Sequence, residues 1–424
     1  MFKQIFYTKT RVILLFLFLV NFFDFHYLPD KFSVKNNKIL LIFIVTLLAI
    51  WFVGNSKVRN VKTIFDKRVN ILLTLLFFSA LTNCLSSYMF RGQDVWVTFY
   101  QWSPIFLLFL YYPLKSLNFS LKSWEKILFL LFCIEMTAEI IQNLFPHAML
   151  FDMTSGNDKF LRDFRCRIYG NGIISIGSLF CLNCALKQKS NNYIYWALYF
   201  ISIVLMFLSG FRVVLLGMAV SSIFMALRIK QARLRTIIGS VVLVVGIYGF
   251  TQTQISQDRI NEIVNRQGTD NFDNDDYVRM ITLNYYLHNH FKSPTEAFLG
   301  SGLVKRRVDP KTNDVSRVKF ESTYSHEISS LAARYHIYTV DWGLLGFSWE
   351  GGIPAALILV LIAVLLVCVK TDERFLYISS FGVFALINSL TNARYHGYNN
   401  LVWTVLLMVI ADKLYQLDKF KKII

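Results

Sequence analysis

The sequence has little charge for its length. Only 17% of its 424 residues are Asp, Glu, Lys or Arg, whereas a typical soluble domain has roughly a quarter. Apolar residues make up 55% of the chain and aromatic residues 16%. This composition excludes an ordinary cytosolic globular protein and predicts that most of the chain lies in a membrane.

The chain also lacks a cysteine framework. Most of its 6 cysteines lie within apolar runs, where a thiol usually acts as a small apolar side chain. Cys181 and Cys184 have CxxC spacing, but no second pair or neighbouring His completes a zinc set. The sequence therefore predicts no metal site and no cofactor.

The N-terminus lacks a signal-peptide cleavage site. The first apolar run follows Lys3, Lys9 and Arg11 as in a signal peptide, but no small-residue cleavage site follows, so we expect a retained helix.

The sequence also lacks an internal repeat. It shows no paired halves with broken helices at corresponding positions, which argues against a secondary transporter. A transporter and a purely structural membrane protein are the less favoured alternatives.

Apolar runs separated by polar connections predict an all-α polytopic membrane protein with about twelve transmembrane helices. The runs cover approximately residues 12–27, 39–53, 69–90, 95–113, 127–145, 173–186, 193–208, 213–227, 236–250, 343–369, 375–390 and 401–414. They divide the chain into helices 1 to 9 (1–250), a helical loop domain (251–342), and helices 10 to 12 with a tail (343–424).

The basic residues predict the orientation of these helices. The net charge is +17, and such an excess in a membrane protein indicates cytoplasmic loops and lipid headgroups, not nucleic acid. Alternate connections place both termini in the cytoplasm and the loop domain 251–342 outside. The outside connections then hold 13 Arg and 8 Lys, and the inside ones 7 Arg and 16 Lys. Since Arg binds phosphate oxygens in a bidentate fork, this predicts a phosphorylated lipid ligand, unless the arginines only pack at helix ends.

Four arginines are candidates for binding a lipid-linked diphosphate. Arg212 lies at the predicted outer start of a helix, where a fixed charge usually faces a site or a cavity, although it could also snorkel to the interface. Arg279 opens an amphipathic segment and could instead form a surface ion pair. Arg165 and Arg167 precede the sixth run and are weaker candidates, because interfacial loops commonly carry Arg.

Two motifs of the loop domain carry weaker signals. The turn Gly300-Ser301-Gly302 could expose backbone amides to an anion, but no strand precedes it as a dinucleotide fingerprint requires. His288 and His290 lie two residues apart, so on a helix they point to different faces, and we interpret them as solvated.

Acids and bases cluster around the start of the tenth helix. His326, His336, Asp341 and Glu350 are candidates for the group that accepts a proton from a sugar hydroxyl. Glu350 could equally pair within the helix bundle. On the fifth helix Glu135 and Glu139 lie four residues apart, and we expect an Arg to pair with them.

The segment Arg279–Leu303 and the stretch Glu350-Gly351-Gly352-Ile353 resemble motifs of the bacterial O-antigen ligase and polysaccharide polymerase superfamily of membrane glycosyltransferases. Members have about a dozen helices, a large late periplasmic loop, and two arginines at the places that Arg212 and Arg279 occupy. Asp341 stands where the ligases have a catalytic His, with His336 five residues earlier, and this departure favours a polymerase over a ligase.

The resemblance implies an inner-membrane enzyme that joins undecaprenyl-diphosphate-linked repeat units into a surface polysaccharide at the periplasmic face. Arg212 and Arg279, with Arg167, would bind the diphosphate, and Asp341 or His336 would be the base. The implied partners are the lipid-linked oligosaccharide and membrane lipid, with a chain-length regulator and a flippase as further candidates. The alternative activity is ligation of the polymer to a lipid A-core acceptor.

Overall fold

The computed structural model describes residues 2–19, 63–117, 119–145, 171–187, 193–208, 212–229, 283, 285–303, 342–370, 372–391 and 398–421. Every regular element in these ranges is a helix, which confirms the all-α prediction. Three helices are long and apolar enough to cross a membrane, namely Ile64–Arg91, Leu121–Leu144 and Asn400–Leu417. They are consistent with a membrane protein.

We number the α-helices in chain order. They are α1 (Phe2–Leu19), α2 (Ile64–Arg91), α3 (Val95–Gln101), α4 (Ser103–Phe106), α5 (Tyr111–Ser116), α6 (Leu121–Leu144), α7 (Asn171–Lys187), α8 (Tyr193–Leu208), α9 (Arg212–Arg228), α10 (Pro294–Leu299), α11 (Gly343–Gly351), α12 (Ile353–Val367), α13 (Leu376–Thr391) and α14 (Tyr398–Lys421). Short 3-10 helices cover Leu107–Leu110 and Glu373–Phe375, and a π-helix covers Tyr285–His290.

Eight of the predicted apolar runs overlap a single helix in the structure, namely α1, α2, α6, α7, α8, α9, α13 and α14. The runs 39–53 and 236–250 lie outside the described residues, as does most of the loop domain 251–342. The number of spans and the side of the loop domain therefore stay predictions.

Two runs predicted as single helices are interrupted. The run 95–113 becomes α3, α4, a 3-10 helix and α5, with Pro104 in the first turn of α4. Proline has no N–H to donate and its ring disfavours a continuous helix, which explains a break there. The run 343–369 is divided at Gly352, where φ is 93° and a new helix starts with Pro354 in its first turn.

Two helices form the centre of the bundle. Helix α13 packs against α7, α9, α11 and α12, while α14 packs against α1, α2, α6 and α7. The residues of α14 from Leu401 to Asp412 are buried. Small residues permit close approach between helices: a Cβ at Gly177 would lie 2.1 Å from the ring of Phe132, and one at Gly382 would lie 2.7 Å from the backbone nitrogen of Val367.

A buried polar cluster joins the first turn of α2 to α5 and α14. The hydroxyl of Thr63 caps α2 by accepting from the N–H of Asp66 at 3.0 Å and donates to Asp412 at 2.5 Å. The Nζ of Lys115 lies 2.5 Å from an oxygen of Asp66 and 3.9 Å from one of Asp412. These contacts close one end of the bundle, and the candidate site lies at the opposite end of α2.

Candidate functional site

The last two turns of α2 carry polar side chains into the protein interior. Asn83, Ser86 and Ser87 are buried, because the same helix face that packs through Leu76 and Ala80 continues through them. The helix then ends at Gly92, whose left-handed conformation lets its N–H bond back to the carbonyls of the last turn. The sequence thus leaves hydrogen-bonding groups at a buried helix end.

A loop turn binds to the broken helix at this end. The N–H of Ser301 donates to the carbonyl of Trp349 at 3.0 Å, and the N–H of Gly302 donates to the carbonyl of Glu350 at 2.8 Å. Both amides are therefore bonded within the protein, and neither is free to bind an anion. We call the turn Gly300–Gly302, the helix break at Gly352 and the three polar residues of α2 the turn junction.

Asn83 connects the parts of the turn junction. Its amide nitrogen donates to the carbonyls of Leu299 and Glu350, each at 2.8 Å, and its oxygen accepts from the indole N–H of Trp102 at 3.0 Å. Ser86 donates to the carbonyl of Gly300 at 2.9 Å. Asn83 and Ser86 thereby satisfy the carbonyls of Leu299 and Gly300, which would otherwise be costly to bury.

Glycine is required where the two backbones of the turn junction meet. Gly300 has φ 84° and Gly352 has φ 93°, conformations that other residues rarely adopt. A Cβ at Gly300 would lie 2.3 Å from the nitrogen of Gly352, and one at Gly352 would lie 2.4 Å from the carbonyl oxygen of Leu299. The two backbones touch directly, so a side chain at either place would separate them.

A buried ion pair adjoins the turn junction. The guanidinium of Arg91 contacts the carboxylate of Glu296 and the carbonyl of His290. The side chains of Arg91 and Glu296 are 3% and 0% exposed. Glu296 also accepts from the backbone N–H of Lys292 at 2.6 Å. We call Arg91, His290, Lys292 and Glu296 the arginine pocket; it ties the end of α2 to α10.

His290 packs inside this region, so the interpretation of it as solvated is wrong; His288 is exposed. The ring of His290 lies 4.3 Å from that of Tyr286, which stacks on Trp349 with ring centroids 4.5 Å apart. Burial, together with the nearby charge of Arg91, lowers the pKa of His290 from 6.5 to about 3. The imidazole is therefore neutral in the folded protein at physiological pH.

This lowered pKa makes stability depend on pH. Below pH 6.5 the unfolded chain binds a proton at His290, whereas the folded chain does not. The free energy of unfolding therefore decreases as the pH falls. We expect His290 to account for a loss of about 2 kcal/mol between pH 7 and pH 5. Thermal unfolding of the purified protein at both pH values measures the loss, and His290→Gln should lessen it. An unchanged acid sensitivity in that variant would contradict the assignment.

The structure describes two of the sequence-predicted site residues. Glu350 is buried at the end of α11 with its carbonyl in the turn junction, and Arg212 is the first residue of α9. Both helices pack against α13. The other candidates lie outside the described residues, namely Arg165, Arg167, Arg279, His326, His336 and Asp341.

The two carboxylates of α6 have no arginine partner among the described residues. Glu135 and Glu139 are 1% and 3% exposed, and neither oxygen of Glu135 has a hydrogen-bond partner among the described residues. Within the same ranges no Arg forms an ion pair with either of them. The pairing therefore stays a prediction that concerns only arginines elsewhere in the chain, such as Arg165 and Arg167.

Sequence reasoning missed the arginine pocket and the role of Asn83. Arg91 resembled an ordinary basic residue that terminates an apolar run. A signal was nevertheless present, because Ser293-Pro294-Thr295-Glu296 has the spacing of a helix N-cap, and Ser293 does accept from the N–H of Glu296 at 3.1 Å. This N-cap motif predicts a helix, but it does not predict which cation pairs with Glu296.

Comparison with known proteins adds no family to this geometry. The described contacts and the sequence motifs are therefore the basis for assigning a function. No family model matches the chain, and no curated protein matches it.

Proposed function

We propose that this protein is an integral-membrane glycosyltransferase that joins undecaprenyl-diphosphate-linked oligosaccharide repeat units into a surface polysaccharide, such as O-antigen or capsule. One observation carries the proposal. The two sequence segments that resemble the superfamily's motifs, about Gly300 and about Glu350, lie some fifty residues apart in the chain, yet they bind each other through the turn junction. If the two segments resembled the motifs only by chance, there would be no reason for them to contact each other.

The contacts between helix ends support the proposed orientation. Two buried ion pairs each join segments that the basic-residue pattern assigns to the same side of the membrane. Arg91 pairs with Glu296 on the predicted outer side. At the opposite end of α2, Asp66 pairs with Lys115 on the predicted inner side. In the proposal the turn junction and the loop domain 251–342 face the periplasm. Both termini then lie in the cytoplasm of a bacterial cell, and the enzyme resides in the inner membrane.

The proposed reaction is a single displacement. A hydroxyl of one repeat unit attacks the anomeric carbon of the donor's reducing-end sugar, the bond from that carbon to the diphosphate breaks, and the hydroxyl proton passes to a base. Such a displacement inverts the anomeric configuration. Asp341 or His336 is the proposed base, with Glu350 and His326 as the other candidates, because a carboxylate or imidazole can accept that proton.

Arginines take the place of a metal ion in this proposal. The amides of Ser301 and Gly302 are already bonded, and the guanidinium of Arg91 is paired with Glu296. In the proposal, Arg212 and Arg279 therefore stabilise the negative charge that develops on the leaving diphosphate, with Arg165 and Arg167 as further candidates. A well-placed donor to such a charge contributes about 3 kcal/mol to catalysis.

A knockout tests the proposed activity. If the protein is a polymerase, surface-glycan electrophoresis of the knockout should show single repeat units. Long polymer retained on its lipid carrier would instead identify a ligase, and an unchanged glycan profile would contradict both. An assay with the purified protein and lipid-linked repeat units then measures chain extension directly.

The arginines are the sharpest test of the mechanism. Arg212→Ala and Arg279→Ala should each reduce chain extension by about 10² or more, because one stabilising donor is lost. Lys should rescue only part, since it cannot bind phosphate with two parallel hydrogen bonds. Arg228→Ala, at the opposite end of α9, is the matched control and should retain activity. Normal polymer from both Ala variants would refute the proposed diphosphate site.

A further inference from the structure

A cavity of about 580 Å³ lies between α6, α7 and α8, beside the short helix Glu373–Phe375. It lies near the start of α6 and the end of α7, and none of its described lining residues belongs to the turn junction. Four basic side chains line it, namely Lys122, Lys126, Lys187 and Arg374. We call this cavity the basic groove.

Within the described residues, the charge of the basic groove is not neutralised. Among the described lining residues the acidic one is Glu125, which already binds Arg374 at 2.8 Å. The three lysines are exposed, and none forms an ion pair with any residue in the described ranges. Three like charges around one concavity repel each other unless an anion joins them.

The basic and the aromatic residues of the groove lie at different positions along the helix axes. One face of α6 carries Lys122, Lys126 and then Phe129 at helical spacing. Along α7 the order is the opposite, with Phe180 two turns before Lys187 at the helix end. The ring of Phe129 lies 6.0 Å from that of Phe180. The groove therefore has a basic mouth at the helix ends and an aromatic floor one to two turns deeper, a profile that suits an amphiphile with an anionic head.

Asn183 adds a requirement for a hydrogen-bond donor. Its amide nitrogen donates to the carbonyl of Arg374 at 2.5 Å, while its oxygen is buried and has no partner among the described residues. Asn183 is 2% exposed and lines the groove. A buried acceptor without a partner is costly, and a hydroxyl on the bound head group would satisfy it.

From these observations we propose that the basic groove binds an anionic phospholipid with a hydroxyl-bearing head group, of the phosphatidylglycerol class. The phosphate lies among Lys122, Lys126 and Lys187, the head-group hydroxyl donates to Asn183, and an acyl chain covers Phe129 and Phe180. Basic pockets between membrane helices are known to bind anionic head groups. A free phosphate ion would use the lysines but would leave the aromatic floor and the buried oxygen without a partner.

The test uses the full-length protein purified in a neutral detergent. Native mass spectrometry counts the lipids retained from phosphatidylglycerol, phosphatidylmethanol and phosphatidylcholine with identical acyl chains. Phosphatidylglycerol should bind best, and phosphatidylmethanol, which lacks the hydroxyls, should bind more weakly but above phosphatidylcholine. Equal retention of phosphatidylglycerol and phosphatidylcholine would overturn the proposal.

Matched variants separate the groove from general surface charge. Lys126→Gln combined with Lys187→Gln should weaken phosphatidylglycerol binding by roughly tenfold or more, since each cation near a lipid head group contributes several-fold. Lys67→Gln combined with Arg68→Gln removes two exposed charges from the first turns of α2 and should leave it unchanged. Equal weakening in both variants would contradict a specific site.

A soluble arm distinguishes the two sources of phosphate. Glycerol phosphate should not displace bound phosphatidylglycerol at concentrations that exceed the lipid a hundredfold, because it lacks the acyl chain that meets the aromatic floor. Displacement at any concentration up to that excess would show a site for free phosphate compounds and would overturn the lipid assignment. Chain extension is not measured in these experiments, so their outcome is independent of the proposed glycosyltransferase activity.

Discussion

Gly300→Ala should destabilise the protein by about 3 kcal/mol or more and abolish its function. The backbone of Gly300 has φ 84° and ψ 151°, a region that is essentially restricted to glycine. The added Cβ would also lie 2.3 Å from the nitrogen of Gly352 and 2.6 Å from the carbonyl oxygen of Glu350. Both contacts involve backbone, which cannot move away as a flexible side chain can.

Gly92→Ala is the matched control for this prediction. Gly92 also has a positive φ, of 66°, but a Cβ there would meet nothing within 4 Å. We expect a loss of about 1 kcal/mol, which is the conformational cost alone. Thermal unfolding of both variants in the same detergent compares the two losses. A loss from Gly300→Ala no larger than that from Gly92→Ala would contradict the direct backbone contact at the turn junction.

Arg91→Ala should cost about 3–5 kcal/mol, because it leaves the carboxylate of Glu296 buried without its cation. Glu296 is completely buried, and the N–H of Lys292 is the other donor to its side chain in the described contacts. The arginine also binds the carbonyl of His290, so the connection between α2 and the 285–303 segment should loosen. Limited proteolysis of that segment, together with thermal unfolding, measures the effect.

A half-exposed ion pair of the same protein provides the comparison. Arg374 binds Glu125 at 2.8 Å, and the side chains of Arg374 and Glu125 are 53% and 10% exposed. Arg374→Ala should therefore cost less than Arg91→Ala, because the cation that it removes is in contact with water. The double variant Arg91→Met with Glu296→Leu should recover part of the loss, since it removes both buried charges. Similar losses from Arg91→Ala and Arg374→Ala would contradict the burial of the arginine pocket.

Both predictions concern the support of the proposed site. The turn junction and the arginine pocket connect α2, α10 and the break between α11 and α12. Glu350 lies within that connection, and in the proposal the base and the diphosphate-binding arginines belong to the neighbouring segments. Chain extension per folded molecule separates two roles of the junction: folded Gly300→Ala protein without activity would mean that the junction positions the site, whereas activity lost only in proportion to the folded fraction would indicate a structural role.

The local sequence was sufficient for most of the described helices. Residues 193–208 form one helix with the bounds that the apolar run predicted, because an uninterrupted apolar stretch satisfies its own backbone hydrogen bonds and needs no partner to be recognised. Ser120 and Ser293 act as N-caps, which their side chains determine locally. The break at Gly352 was missed although a local signal was present, because a Gly-Gly pair followed by Pro354 is typical of a helix boundary.

The sequence by itself therefore determined the all-helical fold class and the places of most described helices. The tertiary structure alone decided that Gly300–Gly302 binds the end of α11, that Arg91 is paired with Glu296, and that His290 is buried. Each of these contacts joins residues that are far apart in the chain or depends on what covers a side chain. Periodicity and local propensity act over a few turns, whereas the partner of a buried polar group is set by packing between distant segments.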